Sequence, residues 1–258
     1  TRGWWNRVSA AGRLIAWLHA DLPPVTAAGR LDAGAVAVPI AASALFVVSH
    51  YEGDTGSWIR LAGHLPDLGA AAGIAAHLYW FGATVLLLAL APLLVLRLLG
   101  EPLAEYGLGP GRWRLGLPLA ALLLAVMLPV VMVASRVPVF AGHYPLAGAA
   151  TGSIKLFAAY EVGYALYFVA WEMMFRSFLL FGLYRRIGVG AVYVLALPFA
   201  LLHFGKPEAE ALGSIVAAVA LGYLALRTRS FWWGAMLHAA VAFTMDLAAA
   251  WGRLSGRG

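Results

Sequence analysis

The feature that most constrains this chain is a set of apolar runs longer than the roughly 18–20 residues that cross a bilayer as a helix. One of them, YEVGYALYFVAWEMMFRSFLLFGLYRR from Tyr160 to Arg186, carries Glu161, Glu172 and Arg176. An ionised carboxylate at the bilayer centre costs roughly 2.5–3.5 kcal/mol on insertion scales. A helix that keeps such groups at depth needs partners for them and, as a rule, a task.

The runs predict an all-α, polytopic transmembrane bundle of about seven spans. They fall near residues 31–49, 68–96, 115–135, 155–184, 190–204, 211–226 and 231–250. Polar loops are expected at 50–67, 97–114 and 136–154. The composition agrees: 62% of the 258 residues are hydrophobic and 12% charged, against about 25% charged in soluble domains. Before the first span, Trp4, Trp5, Val8, Leu14, Ile15 and Leu18 alternate with Arg2, Arg7 and Arg13. That pattern predicts an amphipathic helix in the membrane interface. The chain therefore divides into an interfacial segment (1–30), N-terminal membrane helices (31–154) and a charged helical core (155–250).

Having no cysteine, the chain has no disulfide, thiolate nucleophile or Cys-ligated metal. Its net charge of +6 is spread over short loops, which argues for membrane orientation and against a nucleic-acid surface. Seven spans put Arg97, Arg112, Arg114, Arg185, Arg186, Arg227 and Arg229 on the side of the N-terminus, so the N-terminus is expected to be cytoplasmic.

Few polar groups remain inside the spans. Glu172 and Arg176 stand four apart, on one helix face, as a structural ion pair or as part of a site. Glu161 precedes Glu172 by eleven residues, about 16 Å along the axis but on nearly the same face. It belongs to the surroundings of a site centred on Glu172. His203 closes LPFALLHFGKP, and His238 lies in WWGAMLHAAVAFTMD, with Asp246 offset from it by more than two turns. Rises counted from the span ends bring Glu172, His203 and His238 to similar depths. A Glu and two His from three helices can hold Zn²⁺ with an open position, or position a water directly. His77 competes for such a role but reads as a packing residue.

WEMMFRSFLL, FALLH and LHAAVAF together resemble the motifs of the CAAX-type intramembrane peptidases, the group that includes CAAX proteases and bacteriocin-processing or immunity proteins. The family pattern is EExxxR, FxxxH and HxxxN on separate core helices. Arg176 matches the motif Arg, Glu172 the second Glu, Phe199 and His203 the FxxxH pair, and His238 the last His. Trp171 stands where the first Glu belongs, Ala242 where the Asn belongs, and Ser177 where Gly often follows the Arg. GEPLAEYGL, at Gly100–Leu108, resembles the segment before the core in bacterial members.

The resemblance implies an intramembrane endopeptidase of the bacterial inner membrane, acting on a membrane-anchored peptide with a processed C-terminal or leader segment. Its partners would be lipid and that substrate, not nucleic acid. The expected catalytic set is Glu172, His203, His238 and Arg176, with Glu161 and Asp246 behind it. Glu172 would activate water, alone with His203 or through Zn²⁺ bound by Glu172, His203 and His238; His238 would stabilise the oxyanion and Arg176 would orient Glu172. Trp171 and Ala242 leave two readings open: a WExxxR variant in which Glu172 takes the base role, or a degenerate member that binds peptide as an immunity or scaffold protein. A transporter would show inverted repeats, and the sequence has none.

Overall fold

A computed structural model describes residues 33–62 and 72–255; the interfacial helix expected over residues 1–30 lies outside the described residues. All regular structure among the described residues is helical. In chain order the helices are α1 (Ala33–Glu52), α2 (Thr55–Ala62), α3 (Ala72–Leu98), α4 (Trp113–Ala134) and α5 (Pro138–His143). They continue as α6 (Ile154–Ile187), α7 (Gly190–Val194), α8 (Ala196–Leu201), α9 (Glu208–Thr228) and α10 (Trp232–Leu254).

Among the described residues, α3, α4, α6, α9 and α10 are each long and apolar enough to cross a membrane. Val36–Glu52 and α2, which meet at 50°, make a sixth crossing if they count as one span. That is fewer than the seven expected. The run 190–204 is not one helix: it breaks at Leu195 into α7 and α8. Pro198, one turn beyond Val194, has no N–H to continue the ladder. Gly190–Leu201 spans only about 18 Å as helix, well short of the ~30 Å hydrocarbon core. The loop expected at 50–67 also holds α2, whose first turn Asp54 caps by accepting Ser57 N–H at 2.7 Å.

The central element is α6. Ser153 starts it, its Oγ accepting the Leu156 N–H at 3.2 Å. It is α-helical to Glu172, π-helical over Met173–Leu179 and α-helical again from Leu180. A second π-helical stretch, Leu86–Leu90 of α3, touches the first. The first part of α6 packs on α3 and α10, the second on α1 and α7, while α4 lies against α9 and α10. Trp171, Met174, Phe175, Phe178 and Phe199 form one buried cluster; Phe81, Tyr160, Tyr164 and Phe168 form another. Leu117, Leu122, Val126 and Val133 of α4 stay exposed, the pattern of a lipid-facing helix.

The segment 101–112 ties one end of the bundle together. Glu101 accepts hydrogen bonds from Arg185 Nη1 (2.6 Å), Arg186 Nη2 (2.9 Å) and the Tyr106 hydroxyl (3.0 Å). The Gly107 carbonyl accepts from Phe231 N–H at 3.2 Å. The carbonyls of Leu108, Gly109 and Pro110 accept from Trp232 Nε1, Ser230 Oγ and Trp233 Nε1 at 2.8, 2.6 and 3.1 Å. Ser177, beside the motif Arg, gives its hydroxyl to the Tyr106 carbonyl at 2.6 Å. The strap thus fixes the end of α6 against the turn between α9 and α10, which carries His238 on its next helix.

Burial opposes the Glu101 carboxylate, but hydrogen bonds from Arg186 and Tyr106 and the charges of Arg186 and Arg185 outweigh it. They hold the carboxyl below its ordinary 4.5. The folded state then binds this proton less readily than the unfolded one. The contribution is fully present above pH 4.5 and is lost as pH falls through the lower folded value. Glu101→Gln is expected to lower stability at neutral pH by about 1–3 kcal/mol, most of it through Arg186, since Arg185 is more exposed. Thermal melts in detergent across pH 3–7 check this: the difference between wild type and variant should shrink toward the acid end.

Candidate active site

Glu172 sits at the junction where α6 changes from α- to π-helix, with 0% of its side chain exposed; Arg176, within the π stretch, is 1% exposed. Glu172 Oε2 lies 3.1 Å from Arg176 Nε. The contact is within ion-pair distance, yet Oε2, Nε and Nη2 complete no hydrogen bond. The guanidinium instead lies 4.6 Å over the Phe199 ring and 5.8 Å over Phe175, a cation–π setting that compensates its charge. π-helical turns inside α-helices are frequent at functional sites, and here one carries the charged motif through the core.

The other carboxylate oxygen, Oε1, meets His238 Nδ1 at 2.9 Å. With an ionised acceptor on that side, the proton belongs on Nδ1, and Nε2 is left with a lone pair. Gly234, one turn before His238, makes this approach possible: a Cβ there would stand 3.0 Å from Glu172 Oε2. Phe168 covers the imidazole at a centroid distance of 4.2 Å.

His203 lies just past α8. Its Nδ1 donates to the Phe199 carbonyl at 2.6 Å, so its Nε2 also keeps a lone pair. The Phe199 ring packs near both imidazoles, its centroid 4.7 Å from that of His203 and 6.3 Å from that of His238. Trp171 faces His203 edge-on at 6.1 Å. The Trp171 ring stacks on Tyr167, and its indole N–H is buried without an acceptor.

Of the residues expected from the sequence, Glu172, Arg176 and His238 are in direct contact, and His203 is one ring away. Glu161 and Asp246 belong to a different polar group. His77 packs against Trp80, Phe81 and Tyr160 with Nδ1 unpaired. Ala242 lies one turn beyond His238 against the Tyr160 cluster. Sequence reasoning missed Gly234, Phe168 and the Trp171 N–H. The spacing Gly234–His238 was the available signal, since residues four apart share a helix face.

The zinc set expected from the sequence is not assembled. Among the described residues no three His, Cys, Asp or Glu side chains converge as metal ligands. Glu172 turns Oε1 to His238 Nδ1 and Oε2 toward Arg176, so neither of its oxygens is directed at a site shared with the open Nε2 atoms of His203 and His238. These residues do not fit a zinc ion as placed, and no step below is routed through one.

The fold and these contacts define a polytopic membrane protein with a buried Glu–Arg–His cluster at its core. Residues 153–244 match the family model described as type II CAAX prenyl endopeptidase Rce1-like. The match starts at the cap of α6 and ends in α10, so it contains all three motif segments. Through this core the chain is similar to the CAAX-type intramembrane proteases. No curated protein and no solved structure matches the chain.

Removing one partner of a buried ion pair costs about 3–5 kcal/mol, whereas replacing both with packed apolar groups is often neutral. Arg176→Met alone is therefore expected to destabilise by about 3–5 kcal/mol. Adding Glu172→Leu should recover most of that loss. Denaturation of the single and double variants in detergent checks the coupling; additive losses would mean that the pair does not interact.

Proposed function

We propose that this chain is an intramembrane endopeptidase in which His238, not Glu172, is the general base. The observation that carries this reading is the 2.9 Å contact between His238 Nδ1 and Glu172 Oε1, together with exposure: the His238 side chain is 19% exposed and that of Glu172 0%. A fully enclosed carboxylate is poorly placed to meet a substrate water, but well placed to fix the imidazole tautomer and to stabilise imidazolium, as the acid of a Ser-His-Asp triad does.

In this reading a water hydrogen-bonds to His238 Nε2 and is steadied by His203 Nε2. His238 takes one proton as the oxygen attacks the scissile carbonyl carbon. The carbonyl π electrons move onto oxygen, and the unpaired Trp171 N–H is a donor candidate for that oxyanion. The tetrahedral intermediate collapses with cleavage of the C–N bond. Protonated His238 returns the proton to the departing amine. Arg176 keeps Glu172 ionised throughout. The substrate class is a membrane-anchored peptide with a C-terminal or leader segment. Loop arginines favour a cytoplasmic N-terminus, in a bacterial inner membrane.

A second reading, a peptide-binding immunity or scaffold protein, is favoured by Trp171 in the place of the family's first Glu and by Ala242 in that of its Asn. The two separate in proteoliposomes carrying a reporter with a cleavable membrane anchor. The peptidase reading expects cleavage by the wild type, and a loss of about 10²–10⁴-fold in both His238→Ala and Glu172→Gln. Reporter binding without cleavage by the wild type would support the second reading.

A further inference from the structure

Arginines gather at the end of the bundle that carries the strap. Arg112, Arg114 and Arg229 are exposed there, and none of them is in an ion pair among the described residues. The described carboxylates at this end outside the core, Glu101 and Glu105, are already taken. Glu101 meets Arg185 and Arg186, and Glu105 meets Arg185 at 3.2 Å. The three exposed arginines branch from one junction. Arg112 N–H donates to the Thr228 carbonyl at 2.6 Å. Gly111 lies so close to the turn between α9 and α10 that a Cβ there would stand 2.8 Å from the Arg229 carbonyl oxygen. Arg114 follows on the first turn of α4, its guanidinium 5.4 Å from the centroid of the Trp113 ring. Arg229 is the only non-glycine among the described residues with a positive φ, 57°. It caps α9 in the left-handed conformation that helix ends ordinarily give to glycine. Glycine would adopt that conformation without strain, so the turn itself does not need the arginine.

The surroundings put this junction at headgroup depth. Trp113 and Trp232, both exposed beside it, are of the residue type that collects at membrane–water interfaces. One turn further along each helix the exposed side chains become apolar, Leu117 on α4 and Met236 on α10. The two helices pack against one another. An anion held by the arginines would therefore have apolar surface running away from it into the bilayer.

We propose that Arg112, Arg114 and Arg229 bind the phosphodiester of an anionic phospholipid whose acyl chains lie along Leu117 and Met236. A guanidinium meets two phosphate oxygens with two parallel N–H donors, and no carboxylate competes for these three. By bridging Arg112 and Arg114 to Arg229, the phosphate would join the end of the strap to the turn that precedes α10, the helix carrying His238. Inorganic phosphate offers the same oxygens, but the apolar surface beside the arginines fits the lipid. The site stands independently of the peptidase reading.

The test titrates lipid into the full chain in a nonionic detergent, with bound lipid counted by native mass spectrometry and stability followed by thermal melts. Phosphatidylglycerol should bind about 10- to 100-fold more tightly than phosphatidylcholine, whose ammonium answers its own phosphate, and should raise the Tm. Arg112→Gln, Arg114→Gln and Arg229→Gly should each weaken phosphatidylglycerol binding about five-fold and leave phosphatidylcholine binding unchanged. Arg229→Gly also separates ligand from fold. Without lipid its Tm should equal or exceed that of the wild type, while the gain on adding phosphatidylglycerol should shrink. Arg136→Gln removes the same charge beyond the other end of α4, about 33 Å away, and should change neither readout. Equal affinity for the two lipids overturns the proposal. So does a loss in Arg136→Gln as large as in the three variants, since general charge attraction would then account for the preference. Inorganic phosphate or soluble glycerophosphoglycerol that competes as well as the lipid would make the ligand a free anion and overturn the lipid assignment.

Discussion

The carboxylate of Glu172 is the constraint around which the core is arranged. Fully enclosed and charged, it must be answered on every side. Arg176 answers it from its own helix and His238 from α10. Each partner brings a further requirement. The guanidinium needs the faces of Phe199 and Phe175, which bring α8 up against α6. The imidazole needs α10 close enough that a side chain at position 234 would press on the carboxylate. A single buried charge thereby fixes the relative positions of α6, α8 and α10, the three elements that carry the family motifs.

Two features hold that arrangement in register. The π-helical stretch of α6 carries the chain from Glu172 past Arg176 to Ser177, whose hydroxyl is bonded to the strap. The strap, through Glu101 and the carbonyls of residues 107–110, joins the end of α6 to the start of α10. Its carbonyls meet donors at successive positions, so a slip of one residue would break several bonds together. Substitutions in the strap should therefore be felt at His238 although no strap side chain touches it.

Much of this was legible in the sequence. Apolar runs gave the helical membrane class, and the spans around Glu172 and His238 fall where hydropathy put them. The pairing of Glu172 with Arg176 follows from spacing alone. Among the described residues five or six helices are long enough to cross, against about seven expected, because a twelve-residue apolar helix broken near Pro198 looks like a short span to any hydropathy window. The roles within the site were also hidden. Spacing shows that Glu172 and His238 can approach, but not that the carboxylate is sealed while the imidazole remains reachable. The π-helical stretch has no simple compositional signature. Asp246 read only as standing behind the catalytic set, offset from His238 by more than two turns, since only packing of α10 against α6 reveals it beside Glu161 and Tyr160.

The central claim is that Glu172 fixes His238 as the Nδ1–H tautomer with a free Nε2. ¹⁵N NMR of ring-labelled histidine in the detergent-solubilised protein, with His238 assigned by its substitution, measures this directly. The account predicts a protonated Nδ1 and an unprotonated, water-accessible Nε2 at neutral pH, with that preference lost in Glu172→Gln. A His238 protonated on Nε2, or a tautomer unaffected by Glu172→Gln, would contradict it.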